Sequence, residues 1–278
     1  MKIILAGTPE FAVKPFEQVI NNFDVVAIVS QPDRPASRGY KVNPTPVKLL
    51  AKKYNIPLYQ PQKISQIYEQ LASYQVDIFL TCAFGQYIPT KILDLPKIAS
   101  INIHGSLLPK YRGAAPIQYS LLNNDSETGI SLIYMTKEFD AGDILFTSKI
   151  AILPRDTSQT MFEKLSNLAS ENIVKWLKDI ELNKINPIKQ DVSKVVLSPK
   201  LSKDDALLTS YMSKQQAFNI IRCFSSNPGA YIIYQNKRLK VYYAYFEPIK
   251  NAIKLDFSDG SLYASDYQFE SKRRVILK

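Results

Sequence analysis

Over residues 1 to about 183, apolar runs alternate with helix-like patterns, and this alternation constrains the fold more than any other feature. Lys2–Ala6 reads as a buried strand entering Gly7-Thr8-Pro9 and then a helix that carries Phe11, Val13, Phe16, Val19 and Ile20. Further strands are expected at Val25–Ser30, Ile56–Tyr59, Asp77–Cys82 and Ala99–His104, with helices at Pro46–Tyr54 and Pro116–Leu122. Alternating strands and helices build a parallel sheet with helices on its faces, which makes the class α/β. Ile130–Thr136 and Ile144–Ile152 close this half and read as a hairpin through the loop that carries Asp140. Asp156-Thr157-Ser158 offers N-caps for a long amphipathic helix, and Trp176 falls on its apolar stripe as a core residue. The first turn holds one glycine followed by Pro9, not G-x-G-x-x-G, which argues against a dinucleotide site.

The only histidine, His104, stands two places after Asn102 at the end of an expected strand. A strand's period of two puts both side chains on one face, at the carboxyl edge where open α/β sheets place their ligands. Gly105 and the turn Ser106-Leu107-Leu108-Pro109 follow, and a second acidic turn, Asp140-Ala141-Gly142-Asp143, separates the last two strands. Taken singly, each residue has a plain structural reading: a satisfied histidine, an asparagine bonded to backbone, ordinary turn punctuation. Neighbouring strands of one sheet would bring Asp140 beside His104.

Asn102-x-His104-x-Ser106-Leu107-Leu108-Pro109, Tyr111-Arg112-Gly113-Ala114-Ala115-Pro116-Ile117-Gln118 and Asp140-x-Gly142-Asp143 together resemble the folate-dependent formyltransferases, and among them the branch acting on methionyl-tRNA. The similarity extends to Ala6-Gly7-Thr8-Pro9-Glu10-Phe11-Ala12, Gln31-Pro32-Asp33-Arg34-Pro35, Arg38-Gly39 and Ala83-Phe84-Gly85-Gln86, and weakens after about residue 200. It implies a Rossmann-like, mostly parallel formyltransferase domain over 1–183, a linker over 184–203, and a small OB-like β-barrel domain over 204–278 that contacts tRNA. Short apolar runs at Ala230–Tyr234, Lys240–Phe246, Ile253–Phe257 and Ser261–Ser265, with turns at Asn236 and Asp259-Gly260, are consistent with such a barrel.

The resemblance implies Asn102, His104 and Asp140 as catalytic residues and 10-formyltetrahydrofolate as the formyl donor. Formyl transfer needs a donor for the developing oxyanion and a route for protons from the amine to the leaving nitrogen. Asn102 would supply a non-titrating donor, His104 a proton, and Asp140 a charge favouring the protonated imidazole. The backbone around Ser106, Leu107, Leu108 and Pro109, with Phe84, Gly85, Gln86 and Asp143, would enclose the folate. Leu107 and Leu108 read equally as packing beneath the turn. No metal is expected.

Between Gln31 and Val47 the chain has neither helical nor strand periodicity and carries Arg34, Arg38 and Lys41. It is a solvated surface loop or, by resemblance, the loop that enters the acceptor end of initiator methionyl-tRNA. Lys237 and Arg238 of the second domain would add phosphate contacts. Of the net charge of +10, residues from Lys184 onward carry 16 Lys/Arg against 8 Asp/Glu. That excess fits a polyanionic partner, although lysine usage from an AT-rich genome would look the same. Two positions depart from the family: Leu208-Thr209-Ser210 stands where relatives have Ile-Asp-Trp, and Asn227-Pro228 where they have Trp-Pro. Relatives also continue past Lys278, so the barrel is expected to be abbreviated. Cys82 and Cys223 have no metal-ligand spacing and read as free thiols in a reducing cytosol. No apolar run is long enough to span a bilayer, and the chain is expected to act in the cytoplasm as a monomer. Two other readings remain: a formyltransferase for a small amine (an amino-sugar nucleotide or glycinamide ribonucleotide), and a non-catalytic RNA-binding relative.

Overall fold

The computed structural model describes residues 1–35 and 42–277. The chain forms two compact units, each discontinuous in sequence: Met1–Arg112 with Gly129–Lys149 and Glu163–Val196, and Gly113–Thr128 with Ile150–Phe162 and Leu197–Lys278.

In chain order the strands to the middle of the protein are β1 (Lys2–Gly7), β2 (Asp24–Val29), β3 (Arg34–Pro35), β4 (Val42–Asn43), β5 (Leu58–Tyr59), β6 (Ile78–Cys82), β7 (Ala99–His104), β8 (Lys110–Gly113), β9 (Glu127–Tyr134) and β10 (Ile144–Ala151). Seven of them make the first unit's sheet in the order β10-β9-β7-β6-β1-β2-β5. From β5 to β7 every pairing is parallel, and β9 runs antiparallel to β7. The expected mostly parallel sheet is therefore present, and β9 and β10 are neighbours in it. The central strands carry near-continuous apolar side chains because both faces are covered: Ile3, Leu5, Ile28, Ile78 and Leu80 are fully buried.

The helices of the first half are α1 (Val13–Asn22), α2 (Pro46–Lys53), α3 (Tyr68–Ser73), α4 (Thr90–Leu93) and α5 (Pro116–Leu122), followed by the long α6 (Ser158–Glu181). Helix α2 starts where Thr45 accepts from the Lys48 amide and Pro46 takes the first helical position. Short helices α3 and α4 lack a full period of apolar positions and were not visible as helices in the sequence. Trp176 of α6 is buried and stacks on Phe146, centroids 5.5 Å apart and rings 5° from parallel, the core position its stripe implied.

In the second unit α7 (Lys214–Phe224), opened by the Ser213–Gln216 capping box, packs on a five-stranded antiparallel sheet. After β11 (Val196–Ser198), its strands are β12 (Ala230–Tyr234), β13 (Lys237–Tyr245), β14 (Ile253–Phe257), β15 (Gly260–Phe269) and β16 (Val275–Ile276). Gln235 and Asn236 both have positive φ, 48° and 60°, as a two-residue hairpin turn requires. Leu208, Phe218, Ile221, Leu239, Val241 and Leu255 fill the core between helix and sheet. No described helix is long and apolar enough to cross a membrane. Both cysteines are buried and free, and burial pushes the Cys223 thiol up to about 12.

Candidate active site

The carboxyl edge of the parallel strands gathers the loops that matter. Thr8, just past β1, donates its hydroxyl to the Phe84 carbonyl at 2.9 Å. Gln31, beyond β2, donates from Nε2 to the Phe84 and Gly85 carbonyls at 3.0 and 2.9 Å. Gly85 has φ +80°, and a Cβ there would lie 2.4 Å from Gln31 Nε2. The left-handed backbone is what favours glycine here, and a side chain would also displace the Gln31 amide from its two carbonyls. Phe84 turns its ring into the core, so what it presents to the loop is backbone. Gln86 also points inward: Oε1 accepts from the Ile64 amide at 2.8 Å, and Nε2 donates to the Pro61 carbonyl at 3.0 Å.

Asn102 and His104 share one face of β7, as the period of two requires. The single oxygen Oδ1 of Asp140 lies 3.5 Å from Asn102 Nδ2 and 3.5 Å from His104 Nδ1. An amide and an imidazole from one strand and a carboxylate from a loop distant in sequence thus meet at one point. His104 is 5% exposed, and its Nε2 lies 2.8 Å from the Tyr111 carbonyl oxygen. A carbonyl only accepts, so Nε2 carries the proton and Nδ1 is the nitrogen that faces Asp140. Asn102 receives the Thr81 hydroxyl on Oδ1 at 2.7 Å, and its Nδ2 reaches no described acceptor nearer than Asp140.

The turn below this centre is tightly bound. Ser106 donates its hydroxyl to the Lys110 carbonyl at 2.6 Å. Ser131 donates to the Ser106 carbonyl at 2.7 Å and accepts from the Leu108 amide at 3.1 Å. Leu108 packs with Ile133 and Ile144, so the packing reading of that leucine holds, while Leu107 is half-buried. The Leu108–Pro109 peptide is cis.

Asp140 stands at φ 54°, and Gly142 approaches the Tyr134 carbonyl so closely that a Cβ would fall 1.9 Å from that oxygen. Gln190 clamps this turn: Nε2 donates to the Asp140 and Gly142 carbonyls at 2.7 and 2.8 Å, and Oε1 accepts from Arg112 Nε at 2.9 Å. Gln190 lies in the 184–203 stretch whose composition reads as a linker. Asp143 sits one residue past the clamp, and its backbone carbonyl accepts from the Tyr134 amide at 3.0 Å. Burial first, then the Asp143 charge, push the Tyr134 phenol above its ordinary value. Phe139 and Tyr87 are exposed and meet edge to face at 5.9 Å, an aromatic pair flanking the two loops that the sequence had not suggested.

Of the residues expected to meet RNA, Arg34 is exposed and donates to Gln31 Oε1 at 2.7 Å. Arg38 and Lys41 lie outside the described residues. In the second unit Lys237 is exposed, and the Arg238 guanidinium lies 3.8 Å over the Tyr231 ring. Among the described residues no cluster of His, Cys, Asp and Glu could hold a metal ion.

Residues 1–177 match the formyl transferase family. A methionyl-tRNA formyltransferase of Mycoplasmopsis pulmonis is 54% identical over 278 residues, spanning 100% of this chain and 96% of its own length. The chain belongs to the methionyl-tRNA formyltransferases. A second member of that family, from Lactobacillus acidophilus, is 44% identical over 87% of this chain and 78% of its own length. Among solved structures, a sugar 3N-formyl transferase crystallised with dTDP and 5-N-formyl-tetrahydrofolate superimposes with a TM-score of 0.73. It is 22% identical, covers 98% of this chain and 99% of its own, and shares the fold.

Proposed function

We propose that the chain transfers a formyl group from 10-formyltetrahydrofolate to the amino group of initiator methionyl-tRNA. The observation that carries this reading is the placing of Asn102 Nδ2 and His104 Nδ1 at 3.5 Å from one oxygen of Asp140. A half-buried amide donor held only by one long contact, 3.5 Å to Asp140, is suited to a carbonyl oxygen that gathers charge, and that is the fit expected for a formyl donor.

The donor supplies an activated formyl carbon; the protein supplies position, charge and proton traffic. The substrate amine attacks that carbon, and Asn102 Nδ2 donates to the oxygen that becomes negative. His104 Nδ1 takes the proton released from the attacking nitrogen and returns it to the leaving nitrogen. Asp140 stabilises the imidazolium between those two transfers, while the Tyr111 carbonyl keeps the ring oriented throughout. The C–N bond to the donor breaks as the new formamide forms, so no net proton is gained or lost by the protein.

Phe84, Gly85, Gln86, Ser106, Leu107, Leu108, Pro109 and Asp143 enclose the folate in this reading, mainly through backbone. Arg34, Arg38, Lys41, Lys237 and Arg238 contact tRNA phosphates, which makes binding weaken as salt rises. Residues 1–183 carry the catalytic side chains, 184–203 join and supply Gln190 to the Asp140 turn, and 204–278 contact tRNA. The five antiparallel strands are read as a small OB-like barrel, and the enzyme acts as a cytoplasmic monomer. Mass spectrometry of methionyl-tRNA after incubation with 10-formyltetrahydrofolate tests the assignment. The expected result is a gain of one CO on the aminoacyl group. No gain there, with formylation of a small amine instead, would move the chain to the small-amine branch.

A further inference from the structure

We infer that Thr81 is a positioning residue for formyl transfer, because its hydroxyl sets which way the Asn102 carboxamide faces. The inference rests on the reading of Asn102 as the oxyanion donor. Thr81 and Asn102 are register partners on the parallel strands β6 and β7, so the two side chains stand side by side. Thr81 is 2% exposed, and no solvent competes for its hydroxyl. Its Oγ1 lies 2.7 Å from Asn102 Oδ1, against 3.4 Å from the Ile101 carbonyl and 3.4 Å from Met135 Sδ. The short contact is the one that takes the proton.

An asparagine amide has two orientations that differ only by exchange of oxygen and NH₂. At Asn102 the carboxylate of Asp140 stands on one side and Thr81 on the other. Turning the amide around would set two oxygens against each other at Asp140 and leave the NH₂ facing away from the reacting carbonyl. Thr81 holds the productive orientation by donating to Oδ1, and that keeps the NH₂ on the side of Asp140 and the centre. Pinning a donor before the reaction lowers the reorganisation needed when charge develops. The effect should therefore fall on kcat and leave substrate binding alone.

Thr81→Val replaces the hydroxyl with a methyl of similar size, and Thr81→Ser restores a hydroxyl on the same carbon. We expect Thr81→Val to keep its fold, to lose about tenfold in kcat and to hold KM for both substrates within about twofold. Thr81→Ser should recover most of the lost kcat. In an Asn102→Ala background, Thr81→Val should cause no further loss, because Thr81 acts only through that amide. Full kcat in Thr81→Val, no recovery in a folded Thr81→Ser protein, or an equal further loss in the Asn102→Ala background would each overturn the inference. Wild-type turnover by Asn102→Ala alone would overturn the oxyanion reading beneath it, and the inference would fall with that reading.

Discussion

His104 Nε2 and the Tyr111 carbonyl oxygen are 2.8 Å apart, and that contact decides which nitrogen of the ring is left facing Asp140. Tyr111 holds an uncommon left-handed backbone, φ 65°, to present the carbonyl. With Nε2 committed as a donor, Nδ1 is left to exchange protons beside Asp140. The geometry is a histidine oriented by a backbone group, with a carboxylate 3.5 Å from its other nitrogen.

Asn102→Ala should lower kcat by about a hundredfold to a thousandfold, the cost of losing one oxyanion donor. Asn102→Asp should be no better, because a carboxylate oxygen repels the charge that the amide NH₂ would have bound. Steady-state kinetics with both substrates checks this, and KM should move much less than kcat.

Gln190→Ala should release the Asp140 turn and lower kcat by about tenfold to a hundredfold, as loss of positioning does. Gln190→Glu should fail similarly, since the two carbonyls it serves accept from Nε2 and a carboxylate has no proton to give them. A thermal melt would show both variants folded.

Much of this centre was legible beforehand. Period-two alternation put Asn102 and His104 on one face, and the hairpin reading of the last two strands brought Asp140 to them. Gln190 was hidden because its flanks alternate polar and apolar residues around two prolines, the composition of a linker. Its three hydrogen bonds go to backbone carbonyls and an arginine distant in sequence, and no local pattern records such contacts. Thr81 was hidden for the opposite reason: inside an apolar strand it reads as a β-branched core residue. In the second unit β15 runs to Phe269, past the expected Ser265, because β13 and β16 both pair with its later half.

Trp176→Ala should cost about 3–5 kcal/mol of stability by removing the ring stacked on Phe146. Activity per folded molecule should persist, since Trp176 packs in the core on Phe146. Denaturant unfolding and activity at low temperature separate the two effects.

Asp33 is bonded to Lys48 and, at 2.8 Å, to Gln60, and its carboxyl is held below the usual carboxylate range, chiefly by Lys48. A lowered folded-state value means the pair stabilises the fold above the ordinary carboxylate pKa and stops doing so as pH falls through the folded value. Lys48→Met should therefore melt lower than the parent near neutral pH, with the difference narrowing in acid. Melting temperatures across that range check the sign.

The most direct test of the central claim is single-turnover formylation by His104→Ala, run alongside a tRNA-binding measurement on the same variant. If His104 Nδ1 moves the protons, transfer is lost while methionyl-tRNA binds as it does to the parent. Turnover at the parent rate in that variant would contradict the account.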